Sequence, residues 1–196
     1  MNKQIYCIRH GESVHNVNYK KNGVSAFTDP NCVDSELTNF GQEQSILLSR
    51  NWTCKYNIEL ILVSPLTRTL DTCMNIFGDT DIPIFCIEGL REYPCGSHTC
   101  NKRKDISFLS TKYSRIQFIN FNDNKDVYWN PNEEETISSL NNRILKVKEF
   151  ISKRPENNIA IVGHNSFLSK MIYNELKYIE HGKQEIKHCE PILYKI

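Results

Sequence analysis

Short apolar runs alternate along the chain with longer segments of helical periodicity. Four of the runs are bounded by polar or turn residues, as is typical of buried strands, and they cover residues 4–8, 60–63, 82–87 and 159–162. A fifth candidate covers residues 191–194. The third run contains Pro83, which predicts an edge strand because proline cannot donate a hydrogen bond to a neighbouring strand.

Helical patterns lie between these runs. The first opens at Thr38, the expected N-cap, and places Leu47 and Leu48 on its buried face. The others cover residues 67–77, 133–153 and 166–176. The segment 133–153 has apolar residues near helical spacing and is therefore predicted to be amphipathic.

Strands that alternate with helices of this length predict a mainly parallel sheet covered on both faces. The 196 residues fit one domain, and the sequence has no internal repeat or linker. We therefore predict an α/β fold over residues 1–196, a single-domain three-layer α/β/α sandwich. Residues from about 93 to 132 fit the alternation least. We interpret them as an insertion over the site that selects the substrate.

The overall charge of the chain argues against nucleic acid and anionic membranes as binding partners. A net charge of +1 produces no global field that would attract nucleic acid or an anionic membrane. An anionic ligand would therefore need a few focused cations. No run of about twenty apolar residues is present, and the first residues lack the pattern of a secretory signal, so we expect a cytoplasmic protein.

Eight cysteines are scattered along the chain, and we expect reduced thiols because a chain of this length can build its own core. One cluster could hold zinc: Cys95-Gly96-Ser97-His98-Thr99-Cys100, joined by His188 and Cys189. Its spacing lacks the two close cysteine pairs of a zinc knuckle. We therefore expect no metal site.

Unusual polar residues follow three of the predicted strands. The segments are 9–13 with Asn16 just beyond, 64–68, and 163–165. Because the carboxyl ends of strands in an open α/β sheet form the ligand crevice, these segments can converge. Two arginines and two histidines would then form a cationic pocket, for which a phosphate dianion is the simplest ligand.

Each of these residues also has a structural interpretation. A lone histidine after a strand more often caps or hydrogen-bonds than catalyses. Arg68 could be a surface residue at the start of a helix, and Asn16 could shape a turn. Only their joint placement at strand ends favours a functional site.

At this point the motifs resemble a known family. Arg9-His10-Gly11-Glu12-Ser13, with Asn16, resembles the signature of the phosphoglycerate mutase-like, or histidine phosphatase, superfamily. Four further segments are similar to family motifs and follow in the family's order: Leu37-Thr38 with Gly41 and Gln44, Ser64-Pro65-Leu66-Thr67-Arg68-Thr69, Leu90-Arg91-Glu92 through Gly96, and Val162-Gly163-His164. The resemblance spans residues 4 to about 176.

A narrower resemblance links the chain to the phosphoglycerate mutase-like proteins of plants and fungi. It depends on Cys100-Asn101-Lys102-Arg103, followed by Ser107, Phe118, Trp129 and Glu135. Those proteins typically carry aspartate where this chain has Asn101. Lys102 and Arg103 could instead form a solvated basic turn.

The superfamily resemblance implies roles for particular residues. His10 would be the phosphate-accepting nucleophile, and Arg9, Arg68 and a protonated His164 would surround the phosphoryl oxygens without a metal or other cofactor. Glu92 would be the proton donor to the leaving group.

Further substrate contacts are implied for Asn16, Ser13 and Asn165. Glu92 also has a structural alternative, a salt bridge with Arg91 or Arg103.

The resulting hypothesis is a metal-independent phosphohydrolase that removes phosphate from small phosphomonoesters through a phosphohistidine intermediate. The first alternative is phosphoglycerate mutase, although family mutases are longer than 196 residues. The second is a non-catalytic protein that binds a phosphorylated ligand. The expected partner is a small phosphorylated metabolite, not nucleic acid or a membrane. A homodimer is also possible.

Overall fold

A six-stranded sheet forms the centre of the fold, with strand order β4-β3-β2-β5-β1-β6. The computed structural model describes residues 3–176 and 185–196. The strands are β1 Gln4–Arg9, β2 Leu60–Val63, β3 Ile84–Cys86, β4 Gln117–Phe118, β5 Asn158–Gly163 and β6 Ile192–Lys195. All neighbouring strands pair in parallel except β6, which is antiparallel to β1.

Helices cover both faces of the sheet. They are α1 Val14–Asn22, α2 Asn39–Asn51, α3 Thr67–Phe77, α4 Ile106–Lys112, α5 Ile137–Ser152 and α6 Asn165–Tyr173. Within the described ranges, no helix is long and apolar enough to cross a membrane. The mostly parallel sheet between two helical layers confirms the predicted α/β/α fold.

The core is divided by the sheet into two clusters. Ile5 and Cys7 of β1 face the cluster that contains α5 and α6, whereas Ile8 faces the cluster that contains α3 and α4. Every residue of β2 is buried. Covering both faces explains why the strands have continuous apolar runs instead of alternating polarity.

The prediction that the third strand lies at an edge is wrong. The short strand β4 pairs in parallel outside β3 and takes the edge position. Pro83 precedes the first paired residue of β3, and its carbonyl accepts a hydrogen bond from the Ile61 amide at 2.9 Å. The missing proline N–H therefore leaves no gap in the pairing.

The N-cap of α2 is confirmed, and its buried face is confirmed in part, since Leu48 is partly buried and packs against the core cluster that contains α3. The Thr38 hydroxyl accepts a hydrogen bond from the Gly41 amide at 3.0 Å. Leu47 is 59% exposed, and the buried residues of the helix are Gly41 and Ser45. These small residues allow α2 to approach its neighbours closely, so the buried face includes small residues as well as Leu48.

The long helix predicted from residue 133 begins later. The Thr136 hydroxyl accepts a hydrogen bond from the Ser139 amide at 3.1 Å and caps α5 there. Glu133 to Glu135 therefore lie before the helix, in the loop that leads to it.

The segment 93–132 has two parts with different surroundings. Its middle forms α4 and β4, and Leu109, Tyr113 and Ile116 pack into the core beside α3. Its first part, including Tyr93, lies at the carboxyl edge of the sheet and lines the cavity described below. Only the first part therefore has the position expected of a substrate-selecting insertion.

Candidate active site

Three strand ends converge because β2, β5 and β1 are neighbours in the sheet. Arg9 pairs with Gly163, and the amide of the next residue, His10, donates to the Gly163 carbonyl at 3.0 Å. On the other side of β5, the Ser64 amide donates to the Val162 carbonyl at 3.2 Å. The predicted polar segments thus meet at one edge.

The His10 ring has a defined tautomer. Its Nδ1 lies 2.7 Å from the Gly11 carbonyl, which can only accept, so Nδ1 carries the proton. Nε2 then presents a lone pair, which accepts a hydrogen bond from Arg68 Nε at 3.3 Å. Burial, followed by the charge of Arg68, holds the pKa of His10 well below its usual range. His10 therefore presents an unprotonated nitrogen, the form that a nucleophile requires.

Arg68, near the start of α3, is held by two further contacts. Nη1 donates to the Cys100 carbonyl at 2.6 Å, and Nη2 donates to Asn101 Oδ1 at 2.8 Å. The Asn101 amide in turn donates to the Pro94 carbonyl at 2.8 Å. A guanidinium has five N–H groups, so those not used here can donate to a ligand. Because Asn101 is neutral, the positive charge of Arg68 is not compensated at this contact.

Asp34 positions the helix that carries Arg68. Its carboxylate accepts hydrogen bonds from the amide and the hydroxyl of Thr67 at 2.8 and 2.7 Å. Asp34 is 1% exposed and has a positive φ of 44°, a conformation that aspartate tolerates better than most residues. The sequence analysis missed this residue, because it lies 33 positions from its partner.

His164 and Arg9 each present a buried nitrogen without a hydrogen-bond partner among the described residues, His164 Nδ1 and Arg9 Nε. The rings of His10 and His164 are 5.2 Å apart between centroids. Buried polar atoms are normally satisfied. Two unsatisfied nitrogens near His10 therefore indicate where an anion would bind.

The charge state of His164 differs from the expectation of a protonated ring. Burial, followed by Arg68, holds its pKa well below the usual range, so the free protein has a neutral ring here. Nε2 lies 2.8 Å from the Ser64 hydroxyl. With Nε2 accepting from Ser64, Nδ1 carries the proton and can donate to a phosphoryl oxygen. Ser64 therefore fixes the orientation of the His164 ring, and the neutral form with the proton on Nδ1 is the one that can donate to an anion.

Glu92 lies at the amino end of α6. Its carboxylate accepts hydrogen bonds from the backbone amides of Tyr93 at 2.8 Å, Phe167 at 3.1 Å and Ser166 at 3.2 Å. Burial raises the pKa of Glu92, and these amides and Arg68 oppose that rise. Glu92 also lines the same cavity as His10, which is the position required of a proton donor.

The alternative that Glu92 pairs with a neighbouring arginine is wrong. Arg91 donates to both oxygens of Asp126, at 2.6 and 2.7 Å. Arg103 donates to Glu88 and to backbone carbonyls of residues 123–125. Arg103 is 4% exposed, so it is not part of a solvated basic turn either; its role is to hold the loop that follows β4.

The three lesser site predictions have different outcomes. Asn16 Oδ1 accepts hydrogen bonds from the amide and the hydroxyl of Ser13, at 3.0 and 2.8 Å. The side-chain nitrogen of Asn16 is therefore left to donate to a ligand. Asn16 and Asn165 line the cavity. Ser13 is fully buried and donates hydrogen bonds to the Asn16 side chain. The structure therefore gives Ser13 a positioning role instead of a substrate contact.

Comparison with known proteins agrees with this arrangement. Residues 5–190 match the family model described as the histidine phosphatase superfamily, branch 1. The chain belongs to the histidine phosphatase superfamily.

Relatives of this member of the superfamily occur in plants and fungi. It is 30% identical over 197 residues to phosphoglycerate mutase-like protein 1 of Arabidopsis thaliana, covering 85% of this chain and 69% of the relative. It is 29% identical over 174 residues to a probable phosphatase of Schizosaccharomyces pombe, covering 84% and 74%. The narrower resemblance to plant and fungal proteins is thereby confirmed.

Solved structures show the same fold at low sequence identity. A putative alpha-ribazole-5'-P phosphatase from Escherichia coli has a TM-score of 0.65 at 19% identity, covering 99% of this chain and 90% of that one. A mycobacterial glucosyl-3-phosphoglycerate phosphatase has a TM-score of 0.62 at 17% identity, covering 97% and 92%.

The segment before β6 completes the site, and sequence reasoning missed its role. His188 Nδ1 donates to the His10 carbonyl at 2.6 Å. Arg9 Nη1 donates to the Ile186 carbonyl at 2.8 Å and to Glu185 at 3.1 Å. The segment therefore holds both residues of the Arg9-His10 pair. His188 lies 178 residues from its partner, so local sequence holds no signal for this contact.

The cluster that could have suggested zinc serves the same site. The Cys100 carbonyl accepts from Arg68 at 2.6 Å, and the Trp129 indole N–H donates to the His98 carbonyl at 2.9 Å. Within the described ranges, no three His, Cys, Asp or Glu side chains are grouped as metal ligands. This segment therefore holds Arg68 and lines the cavity that contains His10.

Proposed function

We propose that this histidine phosphatase hydrolyses phosphomonoesters of small metabolites through a phosphohistidine on His10. The observation that carries the proposal is the His10 ring itself. Its Nδ1–H donates a hydrogen bond to the Gly11 carbonyl, and its Nε2 presents a lone pair beside Arg68. The buried, unsatisfied nitrogens of Arg9 and His164 support it, since they would bind the oxygens of the phosphoryl group.

In the first step, Nε2 of His10 attacks phosphorus in line with the bond to the alcohol. The N–P bond forms as the P–O bond breaks, and the leaving oxygen takes a proton from Glu92. Arg9, Arg68 and His164 stabilise the charge on the three other oxygens. The products of this step are the free alcohol, phosphohistidine and an ionised Glu92.

In the second step, water attacks phosphorus and transfers a proton to Glu92. The N–P bond breaks, which regenerates neutral His10 and the acid form of Glu92 and releases inorganic phosphate. Splitting the transfer in this way is the usual advantage of a covalent intermediate. The arginines supply the positive charge that magnesium provides in kinases, so the mechanism requires no metal.

The charges around the cavity favour hydrolysis over mutase activity. Among the described residues that line it, Arg9 and Arg68 are the only arginines or lysines, and both lie beside His10. Glu134 and Glu185 add negative charge to the lining. A mutase must also hold the second anionic group of a bisphosphate, for which these residues offer no further cation.

We expect the purified protein to release phosphate from p-nitrophenyl phosphate at an unchanged rate after treatment with EDTA. Supplied with 3-phosphoglycerate and catalytic bisphosphoglycerate, it should form no 2-phosphoglycerate. A strict requirement for a divalent metal would contradict the mechanism, and accumulation of 2-phosphoglycerate would show a mutase. Phosphate binding without any turnover would favour the non-catalytic alternative.

Replacing Glu92 by glutamine tests the proton donor. The acid form of Glu92 is lost as the pH rises through its raised pKa, so kcat/KM for an alkyl phosphate should fall on the alkaline side. Glu92→Gln should lower that kcat/KM by about 10²-fold and remove the alkaline fall. The check is a pH profile of both proteins on an alkyl phosphate and on p-nitrophenyl phosphate.

The second substrate serves as the control, because its leaving group needs no proton. Its kcat/KM, which reports only the transfer of phosphate to His10, should fall far less in the variant. Equal losses on both substrates would mean that Glu92 supports the structure of the site and does not donate the proton.

A further inference from the structure

The cavity above His10 is larger than a phosphate group requires. Its volume is about 600 Å³. Such volumes are typical of sites that enclose a whole small molecule. The residues beyond the phosphate-binding end therefore carry information about the alcohol part of the substrate.

One wall of this cavity is aromatic. The rings of Phe27 and His98 are stacked, with centroids 3.9 Å apart and planes inclined by 3°. Tyr19 stacks on Phe27 at 5.1 Å, and the ring of His15 lies 5.5 Å from it. All four residues line the cavity that contains His10. We refer to these four side chains as the aromatic wall.

The aromatic wall is uncharged and held in place. Burial lowers the pKa of His15 to about 3 and also lowers the pKa of His98, so both rings are neutral near pH 7. The Thr99 hydroxyl, next to His98, lies 3.2 Å from the Phe27 carbonyl and 2.8 Å from the Asp29 carbonyl. This contact joins the two chain segments that form the wall, so the surface is organised before a ligand binds.

The charges near the wall are unfavourable for a second anionic group. Glu134 and Glu185 line the cavity, and Glu185 is already paired with Arg9 at 3.1 Å. A carboxylate or a second phosphate on the substrate would meet these glutamates without a cation of its own among the described lining residues. An uncharged ring would not be repelled by these glutamates and would need no cation.

We propose that the substrate is a phosphomonoester whose alcohol part carries an uncharged aromatic ring, packed against the aromatic wall, and no second anionic group. This inference rests on the proposed phosphatase function. Offset or edge-to-face contacts between rings stabilise such a complex beyond simple burial of area. The wall thus selects the alcohol, while His10 and its neighbours act on the phosphate.

Three alkyl phosphates with similar leaving alcohols separate these effects: ethyl, cyclohexylethyl and phenethyl phosphate. We expect kcat/KM to be about tenfold or more higher for phenethyl than for ethyl phosphate, with cyclohexylethyl phosphate between them. 3-Phosphoglycerate should be the poorest substrate. Equal rates on phenethyl and ethyl phosphate, a preference for the cyclohexyl compound, or a preference for 3-phosphoglycerate would each overturn the inference.

Phe27→Ala should reduce the ratio of phenethyl to ethyl phosphate hydrolysis towards one. The ratio is measured on a single preparation, so a general loss of active protein cancels. Phe108→Ala is the matched control, since Phe108 lies on α4 and is 52% exposed; its ratio should equal that of the unmodified protein. If Phe27→Ala does not fold, Tyr19→Ala provides the same test at a residue that is 43% exposed.

The failure of this inference is distinguishable from failure of the proposed function. Hydrolysis of p-nitrophenyl phosphate together with equal use of the ethyl and phenethyl compounds would overturn the substrate class alone. No phosphate release from any of the substrates, p-nitrophenyl phosphate included, would overturn both.

Discussion

Replacing His10 by alanine is expected to lower kcat by a factor on the order of 10⁵ and to abolish the phosphoenzyme. In the proposed mechanism this residue supplies the attacking nitrogen, and its neighbours cannot take over that role without rearrangement. His164 Nε2 faces Ser64, and His188 Nδ1 is engaged by the His10 carbonyl. The check combines steady-state kinetics with mass spectrometry of protein quenched during turnover.

Two other histidines provide the controls for this prediction. His164→Ala and His188→Ala should turn over more slowly but should still acquire an acid-labile phosphate on His10. Only His10→Ala should lose the label altogether. A label that persists in His10→Ala, or activity within tenfold of the unmodified protein, would show that the nucleophile is misassigned.

Arg68→Ala is expected to lower kcat by about 10³-fold, the scale found when a preorganised donor to a developing charge is removed. Arg68 is 2% exposed and is the side chain that donates to the attacking nitrogen of His10. Lysine should restore only a small part of the loss, because an ammonium group cannot donate to two phosphate oxygens in the fixed geometry of a guanidinium. Kinetics on p-nitrophenyl phosphate would measure both variants.

Arg115→Ala is the matched control for loss of an arginine. Arg115 donates to the carbonyls of Phe77 and Ile82, at 2.7 and 3.2 Å, away from the site residues. The Arg115→Ala variant should retain activity close to that of the unmodified protein. Added guanidinium ion should partly restore Arg68→Ala and leave Arg115→Ala unaffected. Unimpaired turnover in Arg68→Ala would exclude a role for Arg68 in phosphoryl transfer.

The strands were predictable where burial is complete. The runs at β2 and β5 are apolar at every position because helices cover both faces of the sheet, and this leaves a direct mark on the sequence. β4 has only two residues, Gln117 and Phe118, and is too short to show a period. The helix α1 is mostly polar, with His15 its one buried residue, so its pattern could not be recognised either.

The wrong placement of Leu47 has a clear physical cause. Leu47 was expected inside and is exposed, while Gly41 and Ser45 are buried. Periodicity assumes that the most apolar face is the buried one. Where a helix packs closely against a loop, small residues are required on the contact face. The ideal Cβ of Gly41 would lie only 2.0 Å from the Glu12 carbonyl oxygen, so no side chain fits there.

By itself, the sequence determined the α/β fold, the family and the residues expected to meet the phosphate, because these follow from local hydrophobic pattern and from motifs at the ends of strands. Tertiary structure alone decided which hydrogen bonds orient those residues and which of them are protonated. His188 holds the backbone of His10, and Ser64 holds the ring of His164, through hydrogen bonds that join distant parts of the chain. Burial, likewise a property of the folded molecule, keeps both rings neutral. Since partners and solvent exposure depend on three-dimensional contacts, no local pattern could specify them.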